Sequence, residues 1–373
     1  MNVVRCAVCG AKMRRNGKTK AGKTRWRCES CGSSSVVRVD NTAKRLDEFL
    51  SWLLSKKRQA DMPGGGRTFR RRTSEFWHVW PLPPVTGEVC RVVFVDGIYL
   101  GRKTCVLIAR SEDYVLGWYV ARSENSRAYK ALMARIAPPD VVVTDGGSGF
   151  QKARRELWPS TRVQRCTFHA FEQVKRYTTT RPRTQAGVDL YALAKQLLKV
   201  KTSEQAAAWA AAYARWCTTY DEFLKEETTS EEGRTTLTHE RLVKARSSLT
   251  HLVRKDTLFT YVDPDLIAKL GPLPATNNAV ESTNGQLRQM LREHRGLSLE
   301  RRIKAVYWWC YMHTECPLPA AQILKVMPTD QSIAKEMKSM SYEGRMQIGP
   351  KEWGDGLVWE ELHRQIPWRR DWD

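Results

Sequence analysis

The chain has 373 residues and a formal net charge of +22 at pH 7, with 62 Lys or Arg against 40 Asp or Glu. Residues 1–85 hold 19 Lys or Arg against 6 Asp or Glu, a net charge of +13, so more than half of the excess lies in under a quarter of the chain. This charge indicates a nucleic-acid partner and disfavours a membrane-surface role, because no apolar anchor lies beside the basic region.

The first predicted element is a zinc ribbon over residues 1–38. Two Cys-x2-Cys pairs, each on a short turn flanked by Gly, are separated by a basic stretch, which is the spacing of a four-thiolate zinc site. Disulfides are the alternative. They are disfavoured because the sequence shows no signal peptide and no transmembrane run, which predicts a reducing cytosol. The expected structural zinc ligands are Cys6, Cys9, Cys28 and Cys31.

A helix-turn-helix is predicted over residues 39–80. Residues 43–57 have apolar side chains at helical spacing, the Pro-Gly-Gly-Gly stretch at 63–66 interrupts the pattern, and 68–77 resume it as an Arg-rich helix. The second helix could enter the major groove, or it could be a basic surface helix that contacts only phosphates. Residues 80–85, rich in Pro, predict a semi-rigid linker. The expected DNA-binding residues here are Arg67, Arg70, Arg71 and Arg72.

An α/β unit follows, with short β-branched and aromatic runs separated by turn-forming residues. The predicted elements, in order, are strands at 91–96, 104–110 and 114–121, a helix at 126–137, a strand at 141–144, a helix at 147–157 and a strand at 162–166. This is the order of a ribonuclease-H-like fold, in which the first and fourth strands are neighbours. Asp96 ends the first strand and Asp145 follows the fourth, so we expect the two carboxylates to lie close together.

Two neighbouring carboxylates facing one pocket repel each other unless a cation compensates. Hard oxygen ligands favour Mg²⁺ or Mn²⁺ over zinc. Two such ions about 4 Å apart would stabilise the attacking and leaving oxygens of an in-line phosphodiester displacement. Asp-Gly is also a common turn dipeptide. The positions of Asp96 and Asp145 after strands, followed by Glu281 on a predicted helix, favour the metal site over a pair of turns.

The long segment before Glu281 is predominantly helical by its periodicity. Residues 188–200, 204–223 and 240–254 follow the pattern, and 228–238 interrupt it with a loop. We interpret 171–270 as an α-helical insertion. A separate all-α domain would have the same sequence signature.

Glu281 has Asn277 at i−4, Asn284 at i+3 and Arg288 at i+7 on the same face of its predicted helix. Arg288 could therefore reach a phosphate near a metal-bound strand. Gly285 lies inside this helix, at a cost of about 1 kcal/mol relative to Ala. Close approach of DNA or another backbone would explain the glycine, and so would a broken helix.

A Cys-x2-His pair, Cys166 and His169, follows the fifth strand. A zinc site built on it needs two more ligands, and a buried Cys with a hydrogen-bonded His is the alternative. The candidates for further ligands are Cys90, Cys105, Cys310 and Cys316.

The carboxy-terminal region begins with a predicted helix at 299–313 that packs on the sheet and places Trp308 and Trp309 in the core. The tail could wrap around the core or a second protomer. Its aromatic residues include Trp353, Trp359, Trp368 and Trp372.

Four motifs in this order resemble the DDE transposases of the Mutator-related superfamily of bacterial insertion sequences, over roughly residues 90–315. The motifs are Phe-Val-Asp-Gly at Asp96, Thr-Asp-Gly-Gly-Ser-Gly-Phe at Asp145, Gln-Arg-Cys-Thr-Phe-His at 164–169 and Asn-Asn-Ala-Val-Glu-Ser-Thr-Asn-Gly at 277–285. The resemblance implies a triad of Asp96, Asp145 and Glu281 with two Mg²⁺ or Mn²⁺ ions, preceded by a helical insertion. It places Cys166, His169, Asn277 and Asn284 in the active-site wall.

By resemblance, the protein would bind the terminal inverted repeats of its element, nick the strand ends with water and join the 3′ ends to target DNA without a covalent enzyme intermediate. Synapsis of two ends implies at least a homodimer on double-stranded DNA, at the bacterial nucleoid in the cytoplasm. The alternatives are a non-catalytic DNA-binding regulator, an inactive transposase copy, or a ribonuclease H or Holliday-junction nuclease.

The resulting domain order predicts a split catalytic core. The boundaries are zinc ribbon 1–38, helix-turn-helix 39–80, first part of the ribonuclease-H-like core 86–170, α-helical insertion 171–270, second part of the core with the catalytic Glu 271–328, and carboxy-terminal tail 329–373.

Overall fold

The structure is a computed structural model that describes residues 3–36, 41–85, 87–102 and 104–340. Its architecture is mixed α/β, in three successive groups of elements. The amino-terminal group contains β1 (Met13–Lys18), β2 (Thr24–Cys28), β3 (Ser34–Val36), α1 (Thr42–Leu53) and α2 (Gly65–Thr73). The second group contains β4 (Val92–Gly101), β5 (Thr104–Arg110), β6 (Val115–Ala121), α3 (Ser126–Met133), β7 (Val141–Thr144), α4 (Ser148–Leu157) and β8 (Arg162–Arg165).

The third group is mainly helical. It contains α5 (Thr167–Thr178), α6 (Gln185–Leu197), α7 (Ser203–Thr219), α8 (Asp221–Leu224), β9 (Glu227–Thr229), β10 (Thr235–Leu237), α9 (Glu240–Arg254), α10 (Pro264–Leu270), α11 (Asn278–Glu293), α12 (Leu299–Met312), α13 (Ala320–Val326) and α14 (Asp330–Met340). None of the helices in the described ranges combines the length and the apolar character needed to cross a lipid bilayer.

A five-stranded mixed sheet with the order β6-β5-β4-β7-β8 forms the centre. Strands β4, β5 and β6 are antiparallel neighbours, whereas β7 runs parallel to β4 and β8 parallel to β7. The first and fourth strands of this group are therefore adjacent, as the sequence predicts. Val95 is the register partner of Thr144, which puts the next residues, Asp96 and Asp145, at neighbouring positions.

The sheet is buried on both faces, and β4 shows how the pleat divides them. Val93 and Val95 pack into the cluster that contains α3 and α4. Val92 and Phe94 point the other way and pack with Val280 of α11. Asp96 has the same parity as Val92 and Phe94, so the pleat aims its side chain at the α11 face of the sheet.

Strand β4 continues five residues beyond the predicted end, and Asp96 lies inside it rather than at its end. Ile98 and Leu100 keep the alternation and are buried in the cluster on the α12 side. Helix α3 is shorter than predicted and ends at Met133. The Pro-Pro pair at 138–139 disfavours helical backbone in the residue before it, which accounts for part of this difference.

The two amino-terminal helices belong to the same apolar cluster as the sheet and α12. The rings of Phe49 on α1 and Trp308 on α12 have centroids 6.1 Å apart, and Phe69 on α2 packs against Trp52 at 5.5 Å. His294 Nε2 also donates to the Leu53 carbonyl at 2.8 Å. Helix α1 ends at Leu53, four residues before the predicted end of the first helix. Helix α2 begins at Gly65, three residues before the predicted start of the second.

Residues 80–85 do not form an exposed linker throughout, because Trp80 is fully buried. The Trp80 backbone N–H donates to the Pro328 carbonyl at 2.9 Å, and its indole N–H donates to Asp330 Oδ1 at 2.6 Å. The first half of this segment is therefore part of the core, whereas Pro84 and Val85 are exposed.

The helical region from α5 to α10 has an apolar cluster of its own, which includes the stacked rings of Trp209, Tyr213 and Trp216. The interruption predicted as a loop at 228–238 forms a short hairpin of β9 and β10. Its Thr-rich arms favour strand backbone, and Gly233 takes the positive φ of +76° in the turn. Trp308 and Trp309 are buried in α12, as predicted. Trp353, Trp359, Trp368 and Trp372 lie outside the described residues.

Lys304 on α12 is fully buried and should be one of the main determinants of stability. Its Nζ donates to the Trp77 carbonyl at 2.6 Å, to Glu300 at 2.6 Å and to Asp330 at 2.9 Å. Lys304→Met would leave two carboxylates without this cation, so we expect a loss of about 3–5 kcal/mol in the free energy of unfolding, measured with urea. Lys325→Met, at an exposed position on α13, is the control, and equal midpoints for the two variants would contradict the prediction.

Candidate active site

Asp145 follows β7 in a tight turn that leads into α4. Its Oδ1 accepts from the Gly147 N–H at 3.2 Å, and the Thr144 hydroxyl accepts from the Gly146 N–H at 3.2 Å. Gly146 has a φ of +90°, which a residue with a side chain rarely adopts. The turn therefore fixes Asp145 beside β4, next to Asp96.

Helix α11 is attached to β4 by two asparagines, one turn on either side of Glu281. Asn284 Nδ2 donates to Asp96 Oδ2 at 2.8 Å, and Asn277, at the start of the helix, places its Nδ2 3.5 Å from the Val95 carbonyl oxygen. Both asparagines are fully buried. The helix that carries Glu281 therefore packs on the face of the sheet towards which Asp96 points.

Cys166, His169 and Glu281 form a compact group in which the potential ligand atoms lie within 4.8 Å of one another. His169 Nδ1 is 3.5 Å from Glu281 Oε1, and the Asn277 N–H lies 3.4 Å from Cys166 Sγ. The hydrogen bond to Cys166 raises the pKa of His169, and the charges of Glu281 and Asp145 raise it further, although burial lowers it. Burial would raise the pKa of Cys166, but the hydrogen bonds from His169 and Asn277 lower it overall.

In the described part of the chain, Asp96, Asp145 and Glu281 do not themselves form a group whose oxygens all lie within 4.8 Å of one another. Asp96 and Asp145 nevertheless interact electrostatically. Burial, together with the charges of Asp145 and Glu124, raises the pKa of Asp96 to about 6, although the Gly97 N–H and His169 oppose the shift. The group of Cys166, His169 and Glu281 does not include any of the cysteines considered as further ligands, which are Cys90, Cys105, Cys310 and Cys316.

Four buried polar atoms at this site have no hydrogen-bond partner among the described residues. They are Asn277 Oδ1, Asn284 Oδ1, Glu281 Oε1 and His169 Nδ1. A buried polar atom without a partner costs about 1–3 kcal/mol, and three of these four are oxygen acceptors. Because hard cations prefer oxygen ligands, the donor set beside Asp96 and Asp145 fits Mg²⁺ or Mn²⁺.

Glu124 is a carboxylate of this region that the motif-based reading of the sequence missed. It lies between β6 and α3, and it accepts from the Tyr129 hydroxyl at 2.6 Å. A Cβ on Gly97 would lie 2.6 Å from Glu124 Oε1, so the glycine makes room for this carboxylate beside β4. Burial raises the pKa of Glu124, and the charge of Asp145 adds to the shift. The position just after a predicted strand, which singled out Asp145, would also have identified Glu124.

Asp96→Asn should stabilise the metal-free protein at neutral pH. The folded state binds the Asp96 proton more tightly than the unfolded chain, so ionisation destabilises the fold above pH 6 and this penalty disappears as the pH falls towards 4. The rise in the pKa of Asp96 limits this penalty to at most about 3 kcal/mol in the free energy of unfolding.

The measurement is urea unfolding with chelator at about pH 7.5 and pH 5, where the stabilising effect of Asp96→Asn should shrink at the lower pH. Asp113→Asn, at an exposed position, is the control. A variant no more stable than the wild type at about pH 7.5 would refute the prediction.

The predicted zinc ligands meet in the amino-terminal three-stranded sheet. Cys6, Cys9, Cys28 and Cys31 are free thiols with all four sulfurs within 4.8 Å of one another. The Cys6–Cys31 and Cys9–Cys28 sulfur distances are both 3.5 Å. Tetrahedral zinc with bonds of about 2.3 Å requires sulfur separations of roughly 3.8 Å, so the cluster fits zinc. The Ser33 hydroxyl lowers the pKa of Cys6 and of Cys31. The Ala11 N–H would lower the pKa of Cys9, but the neighbouring thiols of Cys28 and Cys31 raise it overall.

The predicted DNA-binding arginines differ in their surroundings. Arg67, Arg70 and Arg71 are exposed on α2, whereas Arg72 donates to Glu48 of α1 at 2.7 Å and helps to hold the two helices together. Arg288 is exposed on α11 and lines a pocket of about 390 Å³. The other residues of that pocket are Ile98, Tyr99, Leu291, Arg292, His294, Arg295, Gly296, Leu297 and Arg302.

Gly285 lies on the exposed side of an unbroken α11, which rules out the broken helix that the sequence left open. A Cβ at this position would meet no atom of the described chain within 4 Å. Close approach of the chain's own backbone therefore does not explain the glycine either, and the surface is open to an external partner.

Two comparisons with known proteins bear on this geometry. No known protein-family profile matches the sequence. The chain is 31% identical over 94 residues to a protein described as the transposase for insertion sequence element IS905 of Lactococcus lactis subsp. lactis (strain IL1403). The match covers 21% of this chain and 24% of the relative, so the chain spans about a quarter of the length of the relative it matches.

Proposed function

We propose that this chain is a DDE transposase of the Mutator-related superfamily that binds the terminal inverted repeats of its insertion sequence, cleaves the strand ends and transfers the 3′ ends to target DNA. The observation that carries the proposal is the placement of Asp96 and Asp145 on neighbouring strands, with the helix of Glu281 joined to Asp96 through Asn284. That helix also carries buried oxygens that have no hydrogen-bond partner among the described residues. The partial similarity to the IS905 transposase supports it. The strand order supports a ribonuclease-H-like core, and the helical region between β8 and α11 supports an insertion.

In this proposal, Asp96, Asp145 and Glu281 hold two Mg²⁺ or Mn²⁺ ions. Such ions, when bound, stabilise the attacking and leaving oxygens of an in-line phosphodiester displacement. Asn284 fixes the carboxylate of Asp96 through its 2.8 Å hydrogen bond, and Asn277 anchors the start of the helix that carries Glu281. His169 lies beside Glu281, and its ring can donate to a phosphate oxygen.

The amino-terminal region supplies DNA recognition in this proposal. It carries a net charge of +13, the zinc-binding cluster and the exposed arginines of α2. The arginines around Arg288 form a second basic surface, which begins about two helical turns from Glu281. Because both strands of a duplex present phosphates, cations on both surfaces can fix the DNA relative to the carboxylates. Synapsis of two element ends requires at least a dimer.

A strand-transfer assay tests the proposal. Purified protein is incubated with Mg²⁺ or Mn²⁺, a target plasmid and a labelled duplex that carries the terminal repeat of its own element. We expect a nicked strand and a product joined through its 3′ end. A regulator or an inactive copy would bind the repeat without cutting it, and a ribonuclease H or junction nuclease would cut its preferred substrate without joining. Either result would overturn the proposal.

A further inference from the structure

A second pocket, of about 400 Å³, lies between the Asp145 turn and the helical region. It is bounded by the end of β8, by α5 and by α9, and no carboxylate lines it. The lining includes Gly146, Arg165, Gln173, Lys244, Ser248 and His251.

Arg165 is the exceptional residue of this pocket, because it is a nearly buried cation that forms no ion pair with a carboxylate among the described residues. The residue as a whole is only 8% exposed. Its two side-chain hydrogen bonds, to the Thr144 carbonyl and to Gln173 Oε1, are both long, at 3.5 Å. Burying a guanidinium group with so little compensation is costly. A site of this kind favours a bound anion.

The position of Arg165 places that anion beside the proposed catalytic carboxylates. A Cβ on Gly146 would lie 2.7 Å from Arg165 Cζ, so the guanidinium group packs directly against the peptide that follows Asp145. The charge of Asp145 also partly offsets the lowering of the Arg165 pKa that burial causes. An anion bound on the pocket side of Arg165 is therefore adjacent to the Asp145 turn.

Helix α9 completes the pocket with donors on one face. Lys244, Ser248 and His251 are spaced at i, i+4 and i+7, which brings them to the same side of the helix. Lys244 also pairs with Glu240 at 2.6 Å, but its side chain is 53% exposed, so it can turn towards a ligand in the pocket. The site thus combines a fixed buried guanidinium with mobile and neutral donors.

We propose that this pocket binds a backbone phosphate of the DNA strand that passes the Asp145 turn, with Arg165 as the central contact. The inference rests on the proposed function for the identity of the strand. A guanidinium fork suits the two free oxygens of a phosphodiester, and the absence of carboxylates from the lining suits an anion. Arg165 and α9 thereby position the strand from the side of the helical region, whereas Arg288 contacts it from α11.

The test compares Arg165→Gln and Lys244→Gln with Arg215→Gln, which changes an exposed arginine on α7 outside the pocket. Binding of a labelled 20-base-pair duplex is followed by anisotropy over a range of salt concentrations. Arg165→Gln and Lys244→Gln each remove one phosphate contact. Each variant should therefore reduce the magnitude of the slope of log K against log salt by about 0.9. Arg215→Gln should keep the wild-type slope. Wild-type slopes for both pocket variants would overturn the proposal.

Thermal unfolding shows whether Arg165→Gln still folds, and Lys244→Gln decides the matter if it does not, because Lys244 is on the surface. The slope needs no cleavage, so the two proposals can fail separately. If the wild-type protein cuts and joins DNA but both pocket variants keep its slope, only the pocket proposal falls. If the slopes drop although the protein never cuts DNA, the pocket proposal stands and the transposase proposal falls.

Discussion

Asp145→Asn should reduce the rate of strand cleavage by at least about 10³-fold, because a lost metal ligand removes several kcal/mol of transition-state stabilisation. Asparagine preserves the shape of the side chain, and its Oδ1 can still accept from the Gly147 N–H, so the turn should survive. DNA binding should be largely unchanged, because phosphate contacts come from cations elsewhere on the surface. Single-turnover cleavage of a labelled terminal repeat measures the effect.

Asp140→Asn is a matched control for this experiment. Asp140 immediately precedes β7, whereas Asp145 immediately follows it, and its side chain pairs with Lys269 at the surface at 2.7 Å. The control should cleave at the wild-type rate. On α11, Glu281→Gln should be as inactive as Asp145→Asn, whereas Glu293→Gln, at a half-buried position at the end of the same helix, should be active. Wild-type cleavage by Asp145→Asn would show that the carboxylates do not form the metal site.

The sequence predicted the strand order because each core strand is a compact apolar run between turn residues. Strand β7 was located residue by residue. The length of β4 was not predicted, because Asp96 resembles a strand end when only its own segment is considered. The polar side chain is tolerated there because Asn284, 188 residues away in sequence, donates to it. That contact is a property of the folded chain, and no local pattern contains it.

The same limit explains what was missed at the site. Arg165 lies inside the motif at 164–169, yet nothing in the motif distinguishes a buried guanidinium from an exposed one. The neighbours of this side chain come from other elements, such as Gly146 after β7 and Gln173 on α5. The packing of α1 was missed in the same way, since its apolar stripe predicts a buried face but not that Trp308 covers it. A local pattern therefore predicts candidate ligand types, and tertiary contacts determine the environment of those side chains.

Removal of zinc should unfold residues 3–36 and leave the rest of the fold intact. The apolar cluster of this region has only three buried members, Cys6, Met13 and Cys28. So small a core cannot offset the conformational entropy of the segment, and a structural zinc ion contributes about 10–16 kcal/mol of apparent binding free energy in zinc-finger peptides. The apolar clusters that hold the helices and the five-stranded sheet include none of the four cysteines.

The experiment is metal analysis and limited trypsin digestion of Cys28→Ser beside Cys217→Ser, a half-buried free thiol on α7. Cys28→Ser should lose zinc and become cleavable between Lys12 and Arg27, while urea unfolding of the core is unchanged. Cys217→Ser should retain zinc and resist cleavage. If DNA recognition depends on the ribbon, Cys28→Ser should lose its preference for the terminal repeat over a random duplex. It should still bind both duplexes, because the phosphate contacts do not depend on sequence. Full protection of Lys12 to Arg27 without zinc would show that the three-stranded sheet holds itself together, and the four thiols would then need another explanation.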